Sequence, residues 1–199
     1  MTRGVGGKPL ALKFLNKGAL GPYSKFSWPV PNGKPGAWVD AGADLIACER
    51  GIHAATFTQA PRWLREECYV IELSGRHVEA EDKLVYRKGR LLRRVESWDK
   101  VAMVRFAADC AAHVLKLFEA KYPDDGRPRK AIEAARAWAR EPNATNATNA
   151  AYAAYATAAY AANATNAAYA TNAYAAYATA RAWQAQRLLR YIDAPEVMG

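Results

Sequence analysis

Between Val101 and Arg140 apolar residues recur at three- and four-residue steps. Ala102, Phe106, Cys110, His113, Val114, Leu117 and Phe118 make one stripe of a helix. Tyr122-Pro123-Asp124-Asp125-Gly126 breaks it, because Pro bars Tyr122 from continuing and Asp-Gly favours a turn. Asp125 or Gly126 can cap a second helix, with Pro128 near its first turn, which then carries Ile132, Ala135, Arg136 and Trp138. Before Trp98 the pattern is different. Leu10 to Leu15 reads as a strand. Gly21-Pro22, Pro29, Pro31-Asn32-Gly33 and Pro35-Gly36 punctuate the next stretch, with Tyr23, Phe26, Trp28 and Trp38 between them. These aromatics are expected to fill a small β-rich core, with an exposed binding platform as the other reading. Leu45-Ile-Ala-Cys48 reads as a short apolar strand ending in a turn at Gly51, with His53 directly after it. A short helix is expected after Pro61, then a strand Tyr69–Leu73 with Ser74-Gly75 as its turn.

The pattern changes again after Arg140. Pro142 to Ala180 holds no charged residue and is alanine with Asn, Thr and Tyr in near-repeats; NATNAAYA begins at Asn146 and again at Asn163. Alanine is the strongest helix former, so helix is the physical default. At 100° per residue Tyr152, Tyr155, Tyr160, Tyr169, Tyr174 and Tyr177 fall on one half of the wheel, continued by Leu188, Tyr191 and Ile192. One helix from Pro142 to Tyr191 would be about 75 Å long, so a break is expected near Asn143–Asn149 or Asn163–Asn166. Asn, Thr and Tyr are too frequent for a lipid-facing run, so no membrane span is expected.

The fold class predicted is α+β: a flexible start over 1–9, a β-rich domain over 10–97, an all-α domain with a long Ala/Tyr-rich tract over 98–193, and a fraying tail over 194–199.

Two resemblances rest on particular residues. His113-Val-Leu, Phe118-Glu, Tyr122-Pro-Asp-Asp, Arg127-Pro128-Arg-Lys-Ala131-Ile132-Glu-Ala and Arg136-Ala-Trp138 resemble the immunity proteins encoded beside polymorphic bacterial toxins. The resemblance implies a protein partner, toxin-like or from the host, and a non-enzymatic role in occluding it. Asp124, Asp125, Arg127, Arg129 and Arg136 surround the helix–helix turn, where the carboxylates are expected to cap the second helix and pair with nearby arginines; the functional alternative is that they form the recognition patch. Tyr169 and Tyr174 would supply buried area against the partner or a second copy of the chain. Lys13-Phe14, Gly21-Pro22, Trp28-Pro29, Cys48-x-x-Gly51-Ile52-His53-Ala54, Glu72-Leu73 and Asp82-Lys83 look like a small domain of unknown function from phage and actinobacterial proteins.

Charge narrows the reading further. The chain of 199 residues has a net charge of +9, with 16 Lys/Arg against 10 Asp/Glu before Trp98. That excess fits an acidic protein partner, nucleic acid or simply a solvated surface. Arg87-Lys88-Gly89-Arg90-Leu91-Leu92-Arg93-Arg94 is the tightest cluster and reads as a solvated strand edge; binding nucleic acid through Arg87, Lys88, Arg90, Arg93 and Arg94 is the alternative function. Cys48, Cys68 and Cys110 are too widely spaced for a disulfide framework, and MTRGVGGKP has no apolar leader, so a cytoplasmic protein is expected. Cys48 with His53 is a conceivable nucleophile–base pair, the basis of an enzyme reading, and Arg50 and His53 flank a glycine turn suited to a ligand. Cys110 and His113 share a helix face but have no further metal-ligand partners, so core packing is expected there. No Walker loop, dinucleotide fingerprint or serine-hydrolase elbow is present, and no cofactor or metal is expected.

Overall fold

The computed structural model describes residues 7–142 and 173–197. The chain forms two compact units, Met1–Trp98 with Ile192–Gly199, and Asp99–Tyr191. The expected helix break at Asn143–Asn149 or Asn163–Asn166 lies outside the described residues, as does Tyr169.

The first unit is a sheet of β1 (Leu10–Leu15), β2 (Val39–Asp40), β3 (Ile52–Ala54), β4 (Glu67–Ala80) and β5 (Lys83–Arg94). All pairings are antiparallel in the order β1-β4-β5-β2, with β3 also on β5. Just after β3, Ala55 exchanges two 2.9 Å backbone bonds with Leu12 of β1, so the ladder returns to its first strand. Ala11 and Leu15 of β1, Ile52 and Ala54 of β3, Ile71 and Leu73 of β4, and Leu84, Tyr86 and Leu91 of β5 form one core cluster with Trp28. Two-residue alternation places Lys13 between Ala11 and Leu15 on that same face, where an apolar residue is the rule. At Gly51 φ is +143°, and a Cβ would lie 2.3 Å from Val85 Cγ1, so only glycine lets the chain run so close to β5 before His53 pairs with Val85.

Several expectations need correction. Residues 45–50 are not a strand. Ile46 and Arg50 close a tight turn with Cys48 at φ +69°, and the strand begins only at Ile52. Nor is Ser74-Gly75 the hairpin turn. Gly75, at φ +84°, absorbs a register shift between Ser74 and His77, and the strand runs on to Ala80. His77 stacks on its cross-strand partner Tyr86 at 4.7 Å, and the chain reverses at Glu81-Asp82. The basic cluster does not lie on a strand edge, because β5 sits inside the sheet between β4 and β2. The aromatics divide: Trp28 is buried, whereas Tyr23 and Phe26 are exposed. The tail is not frayed over 194–197. Pro195–Val197 forms a 3-10 turn with Ala194 and Val197 buried, and Glu196 takes both forks of Arg93 at 2.7 and 3.0 Å.

Among the described residues, the second unit holds α1 (Lys100–Lys121), α2 (Arg127–Arg140) and α3 (Ala173–Leu188). Asp99 caps α1 by accepting from the Ala102 N–H at 2.7 Å. Gly126 caps α2, with Pro128 in its first turn. Val104, Ala108 and Ala111 pack against Ile132, Ala135, Trp138 and Ala139. Small residues on both helices permit that close approach. The predicted stripe on α1 holds at Ala102, Phe106 and Cys110 and then fails: Leu117 is 71% exposed. His113 stacks on Trp183 of α3 at 3.9 Å. Asp109 joins α1, α2 and α3, accepting from Arg136 at 3.3 Å, Arg187 at 2.7 Å and the Tyr191 hydroxyl. Among the described residues no helix is long and apolar enough to cross a membrane.

Candidate functional site

The first unit holds a cleft of about 630 Å³. Its floor comes from β1 and β3, and its walls from the loops that the Pro and Gly residues fold over the sheet. Trp28, Phe26, Tyr23 and Trp63 give it aromatic sides. Lys13, Lys83, His53 and Cys48 bring the chemistry. A volume of this order suits a small ligand.

The polar groups are held in a fixed arrangement. Lys13 Nζ donates to the His53 carbonyl at 2.5 Å and lies 4.9 Å from the centre of the Trp28 ring. Burial brings its pKa down to about 8. Lys83 is 5% exposed; its Nζ donates to Cys48 Sγ at 2.8 Å, pairs with Asp82 at 3.3 Å and lies over Trp63 at 4.5 Å. Burial alone would lower the pKa of Lys83, but Cys48 and Asp82 outweigh it and the net shift is upward. The imidazole Nε2 of His53 accepts from the Cys48 backbone N–H at 3.1 Å. Burial, then the nearby Lys13 and Lys83 charges, lowers the His53 pKa and favours the neutral ring.

These contacts revise the roles read from sequence. Cys48 and His53 do meet, but through the backbone N–H of Cys48. The group facing the thiol is Lys83, so His53 is not placed as its base. Sequence reasoning missed Lys13 and Lys83; the lone cation inside the apolar run Leu10–Leu15 was the available signal for Lys13. Arg50 stands apart, 3.7 Å from Asp44 at the surface.

The basic cluster is matched by acids. Arg87 and Lys88 pair with Asp40, Arg90 with Glu72, Arg93 with Glu196, and Arg94 with Glu67 and Glu96. The Arg87 hydrogen bond, reinforced by the Gly42 N–H, holds Asp40 well below the usual carboxylate range. Phosphates would have to compete with these carboxylates.

On the helical unit, the turn between α1 and α2 carries the other predicted residues. Arg127 forks onto Asp125 at 2.8 and 2.6 Å, and Arg129 onto Glu119 at 2.9 and 2.8 Å. Asp124 is exposed beside them. Arg136 is drawn away to Asp109. Leu117 and Tyr122, at 71% and 48% exposure, leave apolar surface at the same end of the hairpin. Tyr174 lies on α3.

Residues 93–183 match the model of the family described as "Imm-5 like putative immunity protein". No curated protein and no solved structure matches the chain. The match supports an immunity-protein-like function and a protein partner such as a toxin, without fixing which. The resemblance read at residues 10–97 has no counterpart among these matches.

Proposed function

We propose that this chain is a non-enzymatic, immunity-protein-like binder that covers the active surface of another protein. The family match over residues 93–183 carries the reading. The recognition surface is the end of the α1–α2 hairpin, where exposed Leu117 and Tyr122 are framed by Asp124 and the Asp125–Arg127 and Arg129–Glu119 pairs. An apolar centre with a charged rim is the anatomy of a protein interface. Those pairs hold the rim side chains in place before binding, which lowers the ordering cost. Tyr169 and Tyr174 add contact area, to the partner or to a second copy. The helical unit as a whole carries 12 Lys/Arg against 7 Asp/Glu, which favours approach by an acidic partner.

Photo-crosslinking from position 117 or 122 in the native host, with mass spectrometry of the adducts, identifies the partner. Co-expressing that partner with this chain should then relieve its toxicity. Leu117→Asp with Tyr122→Asp should abolish the relief while the helical circular dichroism signal is unchanged. Toxicity that persists beside the intact, bound chain would sink the reading.

A further inference from the structure

The cleft of the first unit poses a physical problem. Lys13 places an ammonium on the inward face of β1, and no carboxylate among the described residues pairs with it. A cation held partly out of water needs an opposite charge or strong hydrogen bonds. Here it has one backbone carbonyl and the face of Trp28. Lys83 brings a second ammonium to the same cleft, but it is already paired with Asp82 at 3.3 Å, so Lys13 is the cation left to be matched. Of the cleft's two carboxylates, Asp40 is taken by Arg87 and Lys88, and Glu49 is exposed. The enclosed space is thus positive at its floor and aromatic on its sides.

From this geometry we infer that the cleft binds a small organic anion with a flat aromatic body, its oxyanion on Lys13 and its ring among Trp28, Phe26 and Trp63. Charge and walls select together. A bare oxyanion would satisfy Lys13 but leave the aromatic walls wet. A neutral aromatic would fill the walls but leave Lys13 without a counter-ion. Lys13 can turn from the His53 carbonyl to the ligand, because an ammonium has three donors. His53, held neutral by burial and by the two lysines, adds no further charge, and its Nε2 stays on the Cys48 N–H, so the oxyanion rests on Lys13. The inference stands apart from the immunity-like reading, since every residue it uses lies in the first unit.

The test uses the full chain with three probes: phenylacetate, phenyl phosphate and inorganic phosphate. Tryptophan fluorescence and calorimetry read binding. A second readout is alkylation by iodoacetamide, because Cys48 is exposed at the cleft while Cys68 and Cys110 are buried. At least one aromatic anion should bind with a Kd below about 1 mM and slow Cys48 alkylation. Inorganic phosphate should bind roughly tenfold more weakly or not at all. Lys13→Met should weaken the aromatic anion by roughly tenfold, the loss expected for one charge-assisted hydrogen bond. The carboxylate and phosphate arms show which oxyanion is preferred. The inference is overturned if neither aromatic anion binds or protects Cys48 in the unaltered chain, if inorganic phosphate binds as well as phenyl phosphate, or if folded Lys13→Met binds undiminished. The first two outcomes need no variant, so a misfolded Lys13→Met leaves the test intact.

Discussion

Lys13 and Asp109 show how one side chain can set local energetics. Burial lowers the Lys13 pKa to about 8, so the folded state disfavours its charged form. That cost is fully present below about pH 8 and vanishes by about pH 10.5, where the unfolded chain also loses the proton. Lys13→Met should therefore raise stability at pH 7 by about 1–3 kcal/mol, with the gain gone by about pH 10.5. Urea unfolding of both proteins at the two pH values checks it; a variant less stable at pH 7 would contradict it. Asp109 is the opposite case, a carboxylate on which three partners depend. Asp109→Ala leaves Arg136, Arg187 and the Tyr191 hydroxyl without their acceptor and should cost about 3 kcal/mol, read as a lowered urea midpoint. Burial first, then Asp109, pushes the Tyr191 phenol up to about 12, and burial with Glu67 does the same for Tyr69. A raised phenol pKa adds stability that is complete below about pH 10 and is lost as pH climbs towards 12. Alkaline unfolding should therefore steepen across that window, and Tyr69→Phe should flatten part of it.

Among the elements, the β3 approach to β5 is the joint on which the cleft depends. Gly51→Ala adds a Cβ at a positive φ and against Val85, so β3 must draw back. The expected cost is about 2–3 kcal/mol. The Cys48 alkylation rate should change with it, because Cys48 loses the His53 contact. An unchanged unfolding midpoint would show that the strand tolerates the shift. The helical hairpin was more legible than the sheet. A 3.6-residue period, a proline–glycine break and a cap signal are local, and they place α1 and α2. The sheet was legible only in part. Leu10–Leu15 is buried at every position except Lys13, as its apolar composition announces. The turn at 45–50 looks like a strand, because Leu45 and Ile46 are apolar and nothing local reveals that Cys48 adopts a left-handed conformation.

Taken as a whole, the molecule has a charge of +9 that its sequence distributes but does not explain. The densest cations are paired with acids from distant positions, such as Glu196 on Arg93 and Asp40 on Arg87. Gel shifts with single- and double-stranded DNA and RNA at about 150 mM salt should therefore show no submicromolar complex. Submicromolar binding that weakens on Arg90→Glu with Arg93→Glu would restore nucleic acid as the partner. By itself the sequence determined what depends on near neighbours: the α+β division near Trp98, the helical hairpin, the strand Leu10–Leu15 and the immunity-like motif at 113–138. Tertiary structure decided what depends on residues far apart in the chain. Lys13, Cys48, His53 and Lys83 converge because antiparallel pairing brings β1, β3 and β5 together, and register is a property of paired strands rather than of any one of them. The segment after Ile192 is fixed for the same reason. Residues with little propensity of their own become ordered because Arg93, 100 positions before Asp193 and 103 before Glu196, presents a fork that Glu196 and the Asp193 carbonyl can fill.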